Sequence, residues 1–150
     1  MVIDPKRQHI AQRQVARKLA LISIYQWQMT GNSYHDLYVE IQEDKELVKD
    51  FLKADAAYYQ SLCKYVIDNI ENIDQQLKPF LDRDPEHLDQ IERAVLRMAT
   101  AELLNHNETP YKVIVNEAVN LTKKFGADKA YKFVNGVLDK VGATIRSHEK

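Results

Sequence analysis

Apolar residues recur every three or four positions along almost the whole 150-residue chain. They nowhere alternate over four or more residues, so the pattern predicts helices and no strands. From about Gln8 to Met29, a line through Val15, Leu19, Ile22 and Met29, with Ala11 beside it, predicts a first helix. At about 100° per residue, Arg13 and Arg17 fall roughly 160° away, on a solvent face. Leu21, Ile24, Tyr25 and Trp27 widen the apolar surface, so this helix is expected to lie centrally. Thr30-Gly31-Asn32 ends it, and Ser33 with Asp36 reads as a capping arrangement for a short helix bearing Leu37, Tyr38 and Ile41. The charged stretch 42–53 reads as a surface loop. A long helix from about Ala54 carries Tyr59, Cys63, Val66, Ile70, Ile73 and Leu77, with a break suggested by Asp74 and Pro79 and a short helix holding Phe80 and Leu81.

The second half is punctuated by prolines. Asp84-Pro85, an N-cap followed by proline at the first helical position, predicts the start of a helix through Leu88, Ile91, Val95, Met98, Ala99, Leu103 and Leu104, ending near Asn107. Thr109-Pro110 restarts the chain. The ladder Ile114, Ala118, Leu121, Phe125 then predicts a buried helical face, closed by Gly126 in the left-handed conformation, with Asp128 capping the last helix. That helix runs Ala130, Val134, Val137, Val141, widened by Phe133 and Leu138. Gly136 stands in its interior, where glycine marks close backbone approach. The reading is an all-α single domain over residues 1–150, about seven helices in two three-helix groups, with residues 1–8 as a basic arm because Pro5 interrupts the helical pattern.

Composition changes this picture little. At this length about 68–70% of the unfolded surface can be buried, and four glycines with four prolines leave few turns. No apolar run reaches the ~20 residues of a membrane span, and no signal-peptide pattern follows the N-terminal basic residues, so a cytoplasmic protein is expected. Cys63, the one cysteine, cannot pair internally and falls on a core ladder, where it reads as a small buried hydrophobe.

Charge matters more. The net charge of −1 conceals +4 over residues 1–18, −9 over residues 32–92 and +4 over residues 93–150. If the fold joins the two basic ends, a cationic surface results. Arg13 and Arg17, one turn apart with Lys6, Arg7 and Lys18 nearby, suit phosphate oxygens; from charge alone a solvated face fits as well. Lys132 and Phe133 could pair with a phosphate and stack on an unpaired base, with Phe133 in the core as the alternative. The five histidines are scattered without metal-ligand spacing, no glycine-rich phosphate loop occurs, and no serine stands on a nucleophile elbow. No metal, cofactor or enzymatic activity is expected. Two function classes remain: an RNA-binding adaptor, and a helical protein-interaction or dimerisation module without nucleic-acid binding. Steep salt dependence would distinguish the first.

Pro110-Tyr111-Lys112-Val113, Asn116-Glu117-Ala118-Val119, Lys124-Phe125-Gly126 and Phe133-Val134-Asn135-Gly136-Val137-Leu138-Asp139-Lys140 resemble, in order and spacing, the C-terminal signature of the NusB family of bacterial transcription antitermination factors. Ile91 to Arg97 and Arg13 to Trp27 agree with it, so the resemblance covers essentially the whole chain. It implies a factor that binds boxA RNA of nascent transcripts together with the ribosomal protein NusE, promoting read-through in ribosomal RNA operons within an RNA polymerase complex that holds other Nus factors. It implies that the arginine-rich N-terminal segment (Lys6, Arg7, Arg13, Arg17, Lys18) binds RNA, that Tyr25 lies near both the RNA and the protein partner, and that Glu92 lies at the NusE contact. Taken alone, Tyr25 reads as core and Glu92 as half of an intrahelical pair with Arg93. Gln14 and Val15 stand where relatives often carry more arginine, which implies either a weaker arm or more weight on Lys18. Monomer and homodimer are both open.

Overall fold

The computed structural model describes residues 4–149 and is all-helical among them. Eight α-helices follow in order: α1 Pro5–Thr30, α2 Tyr34–Glu43, α3 Leu47–Phe51, α4 Ala56–Asp68, α5 Ile70–Leu77, α6 Gln90–Asn105, α7 Tyr111–Phe125 and α8 Ala130–Ile145. Short 3-10 turns occupy Lys78–Phe80, Pro85–His87 and Ser147–Glu149. The chain divides into two compact units, Met1–Lys64 and Tyr65–Lys150, with the division inside α4.

In the first unit α1, α2 and α3 pack on one another. Leu19, Ala20, Ile24, Leu37, Ile41, Tyr59 and Leu62 are buried there. An aromatic group of Tyr34, Tyr38, Phe51 and Tyr59, with centroids 5.6–6.5 Å apart, fills space between helices in tilted and edge-on contacts. The buried Tyr59 hydroxyl is 2.7 Å from the Ser23 hydroxyl, so its polar end has a partner. Cys63 beside them is buried as expected, and burial pushes its thiol up to about 12.

The core line of α1 differs from the predicted one. Its buried residues are Ala16, Arg17, Leu19, Ala20, Leu21, Ser23 and Ile24, while Ala11 and Met29 are exposed. Ala16, Ala20 and Ser23 mark this face because small side chains let neighbouring elements approach closely. Hydropathy weighs them lightly, so the pattern pointed to the wrong side. Arg17, expected on a solvent face, is 3% exposed.

Boundaries moved for identifiable reasons. Asp4 caps α1, its carboxylate accepting from the Lys6 N–H at 3.0 Å, and Pro5 takes the first helical position. Residues 5–8, expected in an arm, are therefore helical; residues 1–3 of that arm lie outside the described residues. Within the expected loop 42–53, the Asp44 carboxylate accepts from the N–H groups of Glu46 and Leu47 and starts α3, in which Lys49 and Asp50 stand between the half-buried Val48 and Phe51. The expected long helix breaks at Asn69, whose backbone leaves helical geometry at φ −125°, ψ 27°.

In the second unit α6, α7 and α8 pack mutually, and α5 lies against α6. Val95, Met98, Leu103, Ile114, Ala118, Val134 and Leu138 are buried at this core. Asp84-Pro85 opens only a 3-10 turn; α6 begins five residues later, where Asp89 accepts from the N–H groups of Ile91 and Glu92. Arg97 donates to both Asp74 oxygens at 3.0 and 2.8 Å, a fork that ties α6 to α5. Arg146, 1% exposed, donates to the carbonyls of Leu103, His106 and Thr109 at 2.8–3.0 Å. Phe125 is 40% exposed although its helical angle is that of the core ladder, because it is the last residue of α7. Gly126 is extended (φ −86°) rather than left-handed. A Cβ there would lie 2.8 Å from the Thr122 carbonyl oxygen, so close approach is what excludes a side chain. Asp128 does not cap α8; Lys129 stands at the cap without a side-chain bond.

Candidate nucleic-acid interface

The N-terminal basic residues all lie on α1 in the first unit, but they face different surroundings. Lys6 and Arg7 are exposed in its first turn. The Arg13 guanidinium stands 4.2 Å from the centroid of the Tyr58 ring, with Nε 3.7 Å from the Asp55 carboxylate. Arg17 lies over the same ring at 5.4 Å. Two guanidinium groups over one aromatic ring gain about 0.5–2 kcal/mol each from its quadrupole. Lys18 pairs with Asp50 at 2.8 Å, a contact of about 0–1 kcal/mol at a surface. What reads in sequence as a five-residue cationic stripe is thus an exposed pair, Lys6 and Arg7, succeeded by three cations with partners inside the unit. Tyr25, further along α1, is half-buried.

The second unit carries a cleft of about 280 Å³ beside the start of α8. Leu88 and Ala130 give it an apolar floor, Phe133 forms a wall, and Arg83, Glu92, Asp128 and Lys129 bring charge of both signs to its margin. Each wall has a local cause. Asp89 holds the first turn of α6 by bonds to two backbone N–H groups, which sets the position of Glu92. Lys129 adopts φ +66°, and no other non-glycine residue among those described has a positive φ. That left-handed residue costs on the order of 1 kcal/mol for a side chain with a Cβ. It turns the chain from α7 into α8, and strain of this kind concentrates at functional sites. Phe133 is half-buried rather than interior core, and it lines the cleft. Lys132 beside it is exposed.

Burial raises the Glu92 carboxyl above its ordinary range and the nearby Asp89 raises it further, while Arg83 pulls the other way. The expected pairing with Arg93 is not formed among the described residues, for Arg93 donates to Gln90 on its own helix. An aromatic wall over an apolar floor takes a flat base. The flanking cations suit phosphate, and the Glu92 carboxylate can accept a hydrogen bond from an amine or amide.

Sequence reasoning missed Arg83 and Lys129. Neither has a periodic neighbour to reveal it, and Lys129 matters through its backbone. It also missed Lys123, whose ammonium lies 4.8 Å from the Tyr131 ring centroid at the α7–α8 junction.

The NusB family model matches residues 14–143. A transcription antitermination protein NusB from Alteromonas mediterranea is 43% identical over 141 residues, covering 94% of this chain and 98% of the relative. One from Yersinia pestis is 43% identical over 139 residues, covering 93% and 98%. Among solved structures, a crystal structure of antitermination factors NusB and NusE in complex with dsRNA superposes with a TM-score of 0.72 at 28% identity, covering 87% of this chain and 96% of that one. The solution structure of NusB from Aquifex aeolicus gives 0.75 at 28% identity, with 93% of each chain covered.

Proposed function

From the premise that the chain belongs to the NusB family of transcription antitermination proteins, we propose that it binds boxA RNA of nascent transcripts together with NusE and promotes read-through, in ribosomal RNA operons above all. It acts in the cytoplasm by holding its partners and converts no substrate, and it joins RNA polymerase complexes that contain other Nus factors. The observation that carries this reading is that the family match over residues 14–143 spans every residue of the α8 cleft, where an aromatic ring, two cations and two carboxylates meet. A structural neighbour that holds NusE and dsRNA supports the choice of partners.

Lys6, Arg7 and the edge of Arg13 contact phosphates, Phe133 stacks on a base with Lys132 beside it, and Glu92 with Tyr25 meets the protein partner. Arg17 and Lys18 act through packing: Arg17 shares the Tyr58 ring with Arg13, and Lys18 is paired with Asp50.

Titration of boxA-type RNA, with and without NusE, at two ionic strengths tests the proposal. Affinity should be highest with NusE present and fall steeply with salt, and Lys6→Ala with Arg7→Ala should lower the logarithmic salt slope by about 1–2. RNA affinity that is absent, or indifferent to salt, would leave the protein-interaction module as the better reading.

A further inference from the structure

Gly136 sits inside α8, where nothing among the described residues requires a glycine. The other three glycines each have a reason. Gly31 caps α1 at φ +72°, and a Cβ on Gly126 or Gly142 would lie 2.8 Å from the Thr122 carbonyl oxygen or the Tyr111 ring. At Gly136 a Cβ meets no atom within 4 Å, and the residue is exposed. Glycine in a helix interior is less stable than alanine, so the position gives up stability without any return from this chain's own packing.

The neighbours indicate what approaches instead. Lys132, Gly136 and Lys140 are spaced i, i+4, i+8 and form one row on the outer face of α8, and all three are exposed. Neither lysine makes an ion pair among the described residues. At 1.5 Å per residue they stand about 12 Å apart along the helix axis, with bare backbone between them. Phe133, one turn before Gly136 and adjoining the row, lines the cleft, while Asn135 and Asp139 lie on the row's other side.

We propose that this row is a track for the sugar–phosphate backbone of the bound RNA. The strand leaves the base stacked at Phe133 and passes over Gly136 in close contact, its phosphates held by Lys132 and Lys140. A polyanion suits two unpaired cations flanking an empty position; a protein helix would need apolar side chains there, and the row has none. The inference rests on the RNA-binding reading above and adds Gly136 and Lys140 to it.

Gly136→Ala and Gly136→Gln in the full chain test it, since both residues favour helix more than glycine does. Thermal melting should put Gly136→Ala about 2–4 °C above the parent and Gly136→Gln no lower than the parent. With NusE present, anisotropy titration of a boxA-type oligonucleotide should show Gly136→Gln binding at least tenfold more weakly. Asn135→Gln on the other side should bind as the parent does, and NusE affinity without RNA should not change. RNA affinity of Gly136→Gln within twofold of the parent would overturn the inference, as would a loss of NusE affinity without RNA, which assigns the row to a protein. If the parent binds RNA and Lys6→Ala with Arg7→Ala weakens it while Gly136→Gln does not, the track alone falls. A parent that binds no RNA overturns both readings.

Discussion

Glu92 carries a charge that its surroundings disfavour. Its carboxyl is raised from the ordinary 4.5 by burial and by Asp89, so the folded chain holds that proton more readily than the unfolded chain. The stability linked to it is fully present below the ordinary carboxyl range and is lost as pH rises through the raised value. Glu92→Gln should therefore melt at a higher temperature than the parent at pH 7, with the difference vanishing in acid, while affinity for NusE falls. A melting series across pH with a paired binding measurement reads both. A carboxylate that lowers the stability of its own fold fits the role proposed for it at the NusE contact. Sequence could place Glu92 on α6 and off the core ladder, and family resemblance could give it a partner. Its environment was not legible, because Arg83, Asp89 and the cleft come together only through the turn at 85–87 and the left-handed Lys129.

Helix starts show how one local signal can have two outcomes. Asp-Pro occurs at residues 4–5 and at residues 84–85. The first opens a 26-residue helix, the second a three-residue turn. The difference lies downstream: α1 continues with Lys6 through Gln14 and no competing cap, whereas Asp89 lies five residues after Asp84 and captures the N–H groups of Ile91 and Glu92. A signal read over four residues cannot weigh a better cap beyond its window. Strongly periodic elements were legible: the ladders of α6, α7 and α8 are buried along most of their length, with Ile91, Leu104 and Phe133 half-buried and Phe125 exposed at the end of α7. The face of α1 was legible only in part: Leu19, Leu21 and Ile24 are buried, but Ala16, Ala20 and Ser23 complete the contact surface and carry little hydropathy signal. Since Asp89 both caps α6 and sets Glu92, Asp89→Ala should cost about 1 kcal/mol, seen as a lower melting temperature, and should weaken NusE binding. Asp89→Asn, which keeps an acceptor, should restore the melting temperature.

Over the whole molecule, charge and burial distribute differently from each other. The acidic middle and the basic ends were visible in the sequence, but five cations near the N-terminus do not form one solvated stripe, because Tyr58 and Asp50 are drawn to three of them. Arg146 is the counterpart: an isolated cation after an apolar helix, with no pattern to announce it, becomes the polar centre of the second unit. It donates to the carbonyls of Leu103 in the last turn of α6 and of His106 and Thr109 in the segment that follows, and removing it takes a charged donor from each. Arg146→Met should lower the stability of the second unit by about 3 kcal/mol or more, measured as a lower urea midpoint, and Arg146→Lys should recover only part, since an ammonium lacks the planar fork.

The same side chain sets an order of events at the ribosome. Leu103, His106 and Thr109 leave the exit tunnel some forty residues before the guanidinium that joins them. Until Arg146 emerges, the nascent α6–α7 corner lacks the guanidinium that donates to these three oxygens, so the second unit closes late in synthesis.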